Sequence, residues 1–518
     1  MKTLRAAVIG LGVGAEHAQG YTDLPGVELA LLCDADPARL ERVGSRFPAA
    51  RCTTDWREVA ADGSIDVVSV CTPDRYHYEH AAALVRAGKH ILCEKPMCLT
   101  VEQARDLVEL VYEHGVSFAV GNNCRYMPQF ALALEYARSG KLGDLFAVEA
   151  DYIHDMRDVF VRTPWRMDPQ HPQNAIFGGG VHPIDLLRGA AGDAVEVFAY
   201  GNNKTLPDYH SQDSILISIK FANGCIGKVW VSFGIRQQPH NQINLNLYGS
   251  QGSIRTDSQR PEARLYLEGM ALGQNNWATI PLTATLGHPI REELSNLLEA
   301  IRYGRNTRVD VVSGARTVAL MAAAQESLER GQPVTVAEIA TPAQLQMIAE
   351  DLEHVPEVTV APGYGLRTFQ PGDEAHWLRI CKPEFGMTWD AAGLHREILD
   401  KPWFKPEHMF FVTHEGTPVG VATAWRRTVG ETVEASVHYI AVEPAHRGQG
   451  LGRTLLLAVM HRVRELGFPN CGLRTNDFRW DAIGLYWKYG WRPLIETDLD
   501  RRRWRAITRR LGVTDWEG

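Results

Sequence analysis

The chain lacks a cysteine framework. Its nine cysteines among 518 residues are scattered, odd in number and free of any CxxC pair, which excludes a disulfide scaffold and points to buried thiols in a reducing compartment. There is no basic excess: the net charge of −8 leaves no surplus cation to neutralise phosphates, so nucleic acid is not an expected partner. There is no apolar run long enough to span a bilayer, and Met1-Lys2-Thr3-Leu4-Arg5 runs straight into a strand, unlike a signal peptide. A cytoplasmic protein without membrane association or bound metal is the expectation. What is present is 45% hydrophobic and 22% charged residues, the composition of globular protein, at a length that calls for two or three domains.

The first 123 residues alternate short apolar runs with helical patterns, the signature of a doubly wound parallel sheet of Rossmann type. Residues 5–9 form a strand followed by Gly10-Leu11-Gly12-Val13-Gly14-Ala15 and a helical pattern from Glu16. Glycines there permit a tight turn and close approach to a pyrophosphate, so Gly10, Gly12 and Gly14 are cofactor candidates, although the order departs from GxGxxG. A second strand, residues 27–32, ends in Cys33-Asp34. A carboxylate at Asp34 suits ribose hydroxyls and repels a 2′-phosphate, which favours NAD over NADP; the alternative is a helix cap before Pro37. A third strand, residues 65–70, leads to Thr72 and Pro73. A fourth ends in Glu94-Lys95-Pro96, where a lysine can hydrogen-bond a substrate hydroxyl. A fifth, residues 116–120, ends beside Asn122, a further cofactor candidate with Thr72, Pro73, Glu94 and Lys95.

The order Ile9-Gly10-Leu11-Gly12, Cys71-Thr72-Pro73, Glu94-Lys95-Pro96 and Arg125-Tyr126-Met127-Pro128 resembles the Gfo/Idh/MocA oxidoreductase family over residues 1–338. The resemblance implies that residues 124–338 form an α+β domain with an open, mostly antiparallel sheet that covers the nicotinamide and mediates homo-oligomerisation. Alternating runs at residues 215–221, 228–233 and 243–248 fit such strands, and residues 315–330 a closing helix. Within this region Phe177-Gly178-Gly179-Gly180-Val181-His182-Pro183 reads as a glycine loop entering a helix, with His182 at its start; a histidine titrating near neutrality suits acid/base work. By the family match, Lys95 and His182 flank the carbon that exchanges hydride. The aspartate that usually lies four residues before this histidine is replaced by Gly178, so Asp151, Asp155 or Asp168 is a possible substitute. Asp185 is expected to hold His182 or the helix start, and Arg125, Trp165, Arg166 and Asp185 are the substrate-binding candidates, with Tyr152 and His154 nearby.

Residues 339–362 read as a connector containing a helix. From residue 363 the pattern restarts. A hairpin turns at Glu415-Gly416, and a strand over residues 436–442 precedes Arg447-Gly448-Gln449-Gly450-Leu451-Gly452 and a helix. Backbone amides at such a turn suit a pyrophosphate. The motif resembles motif A of the GNAT acyl-CoA N-acyltransferases. The resemblance makes acetyl-CoA the second cofactor, bound by Ile440, Val442, Arg447, Gly448, Gln449, Gly450 and Gly452. It makes Tyr486, before Tyr489-Gly490-Trp491, the acid that protonates the CoA thiolate. Glu434, His438 and Glu443 are the candidate bases, and Asn476 and Arg479 compete for one cofactor slot. The basic run Arg501-Arg502-Arg503-Trp504-Arg505 reads as a solvated helix face.

The expected protein is thus a bifunctional enzyme. One part oxidises a CH–OH group of a sugar, sugar nucleotide or cyclitol with NAD, and the other acetylates an amine acceptor. Three alternatives are a redox-neutral NAD cycle, a non-catalytic NAD or sugar sensor that regulates the acetyltransferase, and a GNAT part that binds acyl-CoA without turnover.

Overall fold

A computed structural model describes residues 3–168, 174–236, 241–270, 277–282, 288–387, 389–429 and 432–513. The chain divides into two compact units, residues 1–302 with 306–342, and residues 303–305 with 343–518.

In the first unit β1 (Leu4–Ile9), β2 (Val27–Cys33), β3 (Arg51–Thr53), β4 (Val67–Val70), β5 (His90–Cys93) and β6 (Phe118–Val120) pair in the order β3-β2-β1-β4-β5-β6, every pair parallel. Strands covered on both faces read as continuous apolar runs, and β4 is buried at every position. Connections run outward in both directions from β1 and β4, so a crevice opens at their carboxyl ends. The helix Gly14–Asp23 follows β1 closely. A Cβ on Gly14 would lie 2.8 Å from Val8 and 3.1 Å from Cys71, so this glycine serves helix–strand packing. Asp36, not Asp34, caps the next helix, Pro37–Gly44.

The other layer of this unit is built from β7 (Leu145–Ile153), β8 (Ala194–Asn202), β9 (Ser214–Phe221), β10 (Ile226–Ser232), β11 (Gln242–Gly249), β12 (Gly252–Asp257), β13 (Glu262–Leu267), β14 (Ala278–Pro281) and β15 (Val334–Thr335). Their order is β14-β13-β12-β11-β7-β10-β9-β8-β15. Pairing is antiparallel except between β7 and β10. Period-two alternation buries Ile215, Ile217, Ile219 and Phe221 and leaves Leu216 exposed. The buried face packs on the helices Val181–Ala191 and Val311–Arg330.

One expectation fails here. Gly178-Gly179-Gly180 is no loop: Ile176–Gly180 is a π-helical turn that runs directly into the helix Val181–Ala191. Gly179 is required by packing, since a Cβ on it would lie 2.6 Å from the Tyr152 ring and 2.8 Å from Phe233. The turn brings the Gly178 carbonyl and the His182 ring to the cleft.

In the second unit β16 (Leu345–Ala349), β17 (Tyr364–Thr368), β18 (Met409–His414), β19 (Thr417–Val429), β20 (Thr432–Val442), β21 (Cys471–Thr475) and β22 (Arg492–Leu494) form one sheet, ordered β17-β18-β19-β20-β21-β16-β22. The expected connector therefore contributes a strand, β16, rather than a helix, because Leu345, Met347 and Ala349 bury on one face with period two. The β18–β19 hairpin turns at Glu415 and Gly416, with φ of 49° and 82°, the positive pair that such a two-residue turn requires. β20 pairs with β19 along its length, but meets β21 only at Ser436↔Gly472. Beyond that point Tyr439 takes a φ of 52°, rare for a side chain of this size, where the β19 register shifts between Val421 and Thr423.

The basic run also departs from expectation. Arg503, on the helix Asp498–Leu511, is 1% exposed and makes two bonds to Asp477, at 2.6 and 2.7 Å.

Candidate functional site

The carboxyl ends of β1, β2, β4 and β5 open into a cleft of about 1280 Å³. Gly10 has a φ of +88°, and a Cβ on it would lie 2.6 Å from the Cys71 carbonyl oxygen, so only glycine fits the turn. Gly12 has open space where its Cβ would be, at the entry to the helix Gly14–Asp23. Asp34 lines the same end. Its carboxylate accepts the Leu11 N–H at 2.7 Å and the Asp36 N–H at 2.9 Å, which holds it rigidly at the tip of β2, with Arg39 Nη1 3.3 Å away. An open glycine turn at a helix start with a fixed acid beyond fits the pyrophosphate and ribose of a dinucleotide. Thr72 and Pro73 line the wall after β4. His77 ties that loop to the next, with Nδ1 2.7 Å from the Pro96 oxygen and Nε2 2.6 Å from the Thr72 oxygen. Asn123 lines the cleft, and Asn122 and Gly14 are not among its lining residues.

At the other end stand Glu94, Lys95, Tyr152, His154, Trp165, Arg166 and His182. Glu94 accepts from His17 Nε2 at 3.2 Å, and His17 Nδ1 lies 3.2 Å from Ser69 Oγ. Burial raises the Glu94 carboxyl, but the bond and charge of His17 and the charge of Lys95 outweigh it, and the group lies below the usual range. Lys95 Nζ donates to the Gly178 carbonyl at 3.2 Å. Burial, with the nearby Arg166 charge, lowers the Lys95 ammonium.

His182 Nδ1 lies 3.4 Å from Cys124 Sγ, and that sulfur donates to Asn123 Oδ1 at 3.5 Å. Burial keeps the Cys124 thiol protonated. The single thiol hydrogen is taken by an amide oxygen that can only accept, so His182 Nδ1 carries the hydrogen given to sulfur and Nε2 keeps a lone pair. Burial, with the Lys95 charge, pulls His182 well below its ordinary value. Its ring stacks on Tyr152 at 6.0 Å. The pair therefore offers an ammonium donor and a neutral acceptor on one cleft.

None of the three candidate aspartates takes the place of the one absent at Gly178. Asp151 pairs with Lys228 at 2.7 Å, Asp155 with Arg157 at 2.5 Å and Asp168 with Arg75 at 3.8 Å, and none of the three lines the cleft. Arg125 and Asp185 are also not at the substrate end. They bind each other at 2.6 and 2.8 Å, and Asp185 further accepts from Thr317 Oγ1 at 3.1 Å. Both are buried, so their role is to join the segment after β6 to the helix Val181–Ala191. Asp185 thus holds Arg125, not His182. Asn123, Asn241 and His288 also line the cleft, and Cys124 stands against His182, none of them marked by the sequence reading. Asn241 and His288 lie in segments with no motif, and Cys124 carries no signal apart from its spatial neighbour.

In the second unit the turn after β20 has Gly448 and Gly450 at φ of +79° and +78°, with open space at each Cβ position, ahead of the helix Leu451–Glu465. Such a helix start fits a pyrophosphate. Gln449 lies in this turn and Gly452 in the first helical turn. Ile440 and Val442 lie on β20 past its last contact with β21. Arg447 donates to the Val442 carbonyl at 2.9 Å and to Glu384 at 2.6 Å. Glu384 also pairs with Arg479, while Asn476 accepts from Gln344 at 3.1 Å. Tyr486, on the helix Trp480–Lys488, is buried, which pushes its hydroxyl up to about 12. Glu443 is engaged by Arg379.

The first unit is thus a Rossmann-type parallel sheet with an open-sheet domain set against it, and the second carries a glycine turn at a helix start beside a parted pair of strands. Residues 4–122 match the NAD-binding Rossmann fold of the Gfo/Idh/MocA oxidoreductase family, residues 130–255 the C-terminal domain of that family and residues 375–491 the GNAT acetyltransferase family. The chain joins a Gfo/Idh/MocA-family region to a GNAT-family region. It is 27% identical to levoglucosan dehydrogenase of Pseudarthrobacter phenanthrenivorans over 302 residues, 50% of this chain and 75% of that one. It is also 27% identical to scyllo-inositol 2-dehydrogenase (NAD(+)) of Bacillus subtilis over 349 residues, 64% of this chain and 96% of that one. A solved structure of levoglucosan dehydrogenase in complex with NADH and levoglucosan matches with a TM-score of 0.61 at 25% identity, covering 65% of this chain and 100% of that one. Among the described residues no helix is long and apolar enough to cross a membrane.

Proposed function

We propose that the first unit oxidises a CH–OH group of a sugar, sugar nucleotide or cyclitol with NAD, and that the second transfers an acetyl group from acetyl-CoA to an amine, an amino sugar being the simplest substrate class common to both. The observation that carries the first half is the Lys95–His182 pair on the cleft that also holds the Gly10–Gly12 turn and Asp34. NAD supplies the hydride acceptor when bound. His182 Nε2 takes the hydroxyl proton, and the Lys95 ammonium donates to the same oxygen and stabilises its developing charge. Trp165, over which the Arg166 guanidinium sits at 4.5 Å, and His154 give the substrate end an apolar platform with polar edges. The names of the dehydrogenases that resemble this chain support a sugar or cyclitol substrate, and Asp34 supports NAD over NADP.

For the second half, the turn of residues 447–452 would hold the pyrophosphate of acetyl-CoA, and Tyr486 would protonate the thiolate. The exposed sheet face bearing Tyr200, Leu216, Ile226 and Tyr266, between 37 and 66% exposed, supports a homo-oligomer formed through residues 124–338; the cytoplasm is the compartment proposed for it. The test is to incubate the protein with NAD and a sugar and cyclitol panel, and separately with acetyl-CoA and amino sugars. NADH formation and acetylation of an amino sugar are expected; acetylation of peptide or amino-acid amines alone would break the proposed link.

A further inference from the structure

We propose that the β19–β20 face of the second unit is the amine site, with His438 receiving the proton of the attacking nitrogen and Trp403 and Trp425 walling the acceptor. This rests on the acetyl-transfer reading above. The geometry begins with register: Thr423 on β19 is the direct partner of His438 on β20. Trp425, two residues on from Thr423, shares its face. The Trp425 ring is 4.7 Å from His438 and 3.9 Å from Trp403. The φ of 52° at Tyr439 also turns that ring beside His438, at 3.9 Å. Tyr439 in turn packs 5.3 Å from Trp377.

Three polar atoms in this aromatic setting are buried without a partner: Thr423 Oγ1, His438 Nδ1 and Trp377 Nε1. Thr423 is 0% exposed. Buried polar atoms are ordinarily satisfied, and the unpaired Thr423 Oγ1 stands directly across the strand pair from His438. His438 itself keeps part of its surface open, and with Nδ1 enclosed the nitrogen left to meet a ligand is Nε2. The site also lies where an acyl donor can arrive. His438 is two residues past Ser436, the last point at which β20 meets β21. The open edge of β20 then runs from His438 to the glycine turn at residues 448–450.

Of the three candidate bases, Glu443 is engaged by Arg379 and Glu434 is exposed. The helix Glu374–Phe385, which packs on β19 and β20, carries Glu374, His376, Arg379, Cys381, Lys382 and Glu384; the turn His395–Leu399 adds His395, Arg396 and Glu397, and β20 adds Tyr439. Glu384 is held by Arg447 and Arg479, and Glu397 by Arg396. Burial alone lowers His438, to about 4. A neutral imidazole without a carboxylate neighbour gives no counter-charge to an alkyl ammonium. It suits an amine less basic than an alkyl amine, with a nitrogen beside electron-withdrawing oxygens and an apolar ring face for the tryptophans. An amino sugar has both. In the step, the N–C bond forms and the C–S bond breaks. The nitrogen proton passes to His438, the thiolate takes the Tyr486 proton, and His438 returns its proton to Tyr486 through solvent, so amine and thioester give amide and thiol.

The test uses the full-length protein with acetyl-CoA and either glucosamine or Nα-acetyl-lysine, followed by CoA release. Glucosamine is expected to react about 10-fold or more faster. His438→Gln is expected to lower kcat by about 10², leave the acetyl-CoA KM unchanged and abolish the acidic limb of the kcat profile. Trp425→Ala is expected to raise the glucosamine KM alone, which separates a site effect from misfolding. Transfer to glucosamine with an unchanged rate and pH profile in His438→Gln, or a preference for the lysine probe, overturns the proposal. Absence of transfer to any amine overturns the acetyl-transfer reading itself, and the proposal with it.

Discussion

Lys95 Nζ donates to the carbonyl oxygen of Gly178 across 3.2 Å, at the residue where the family resemblance sets an aspartate. A carbonyl dipole orients the ammonium without the full charge of a carboxylate, and burial with Arg166 outweighs the opposing charges of Glu94 and Asp74. Replacing Gly178 by aspartate puts that charge back. In Gly178→Asp the alkaline limb of kcat/KM for NAD reduction is expected to move to higher pH. A limb that stays in place would mean that Lys95 does not titrate in the rate profile.

The buried Arg125–Asp185 pair is expected to be structural. Asp185→Ala leaves a guanidinium buried without its carboxylate, at a cost of about 3–5 kcal/mol. Thermal unfolding should show a clear loss, and Arg125→Met combined with Asp185→Leu should recover most of it. A variant of normal stability with a raised substrate KM would instead return Asp185 to the substrate site.

Two buried histidines of the first unit make stability depend on pH. His80 is lowered to about 4, mainly by burial, and His182 is lowered for the same reason. Each takes up a proton more readily in the unfolded chain, whose histidines titrate near 6.5. Stability from this source is therefore complete above about pH 6.5 and lost as pH falls toward 4. The melting temperature of the first unit should drop between pH 7 and pH 5, and His80→Phe should flatten that drop.

Tyr486 is buried and neutral, as an acid must be before the thiolate leaves. Tyr486→Phe is expected to slow CoA release by about 10²–10⁴ while acetyl-CoA still binds, measured by calorimetry. Undiminished acetylation would remove the acid assignment.

The sequence made much of this legible, and its failures have physical causes. The parallel sheet was readable because strands such as β4 are apolar throughout, and the glycine turn with Asp34 because backbone conformation and charge there are set by residue type. The π-turn at Ile176–Gly180 reads as a loop because glycine more often signals a turn than a close packing contact, here with Tyr152. Arg125, Asp185 and Arg503 read as solvent- or ligand-facing because a charge in sequence does not show its buried partner. β16 escapes the sequence pattern because a five-residue strand among prolines is a weak signal. The part played by Cys124 depends on a contact 58 residues away, which no local pattern encodes.

The most direct test follows absorbance of the reduced nicotinamide while sugars and cyclitols are added to the protein with NAD, in wild type and in Lys95→Ala. The account predicts NADH in step with oxidised product for wild type, and a rate lower by about 10²–10⁴ in the variant with NAD binding retained. Product without net NADH would establish a redox-neutral cycle instead. Acetylation that persists while no substrate reduces NAD would make the first unit a sensor and contradict the account.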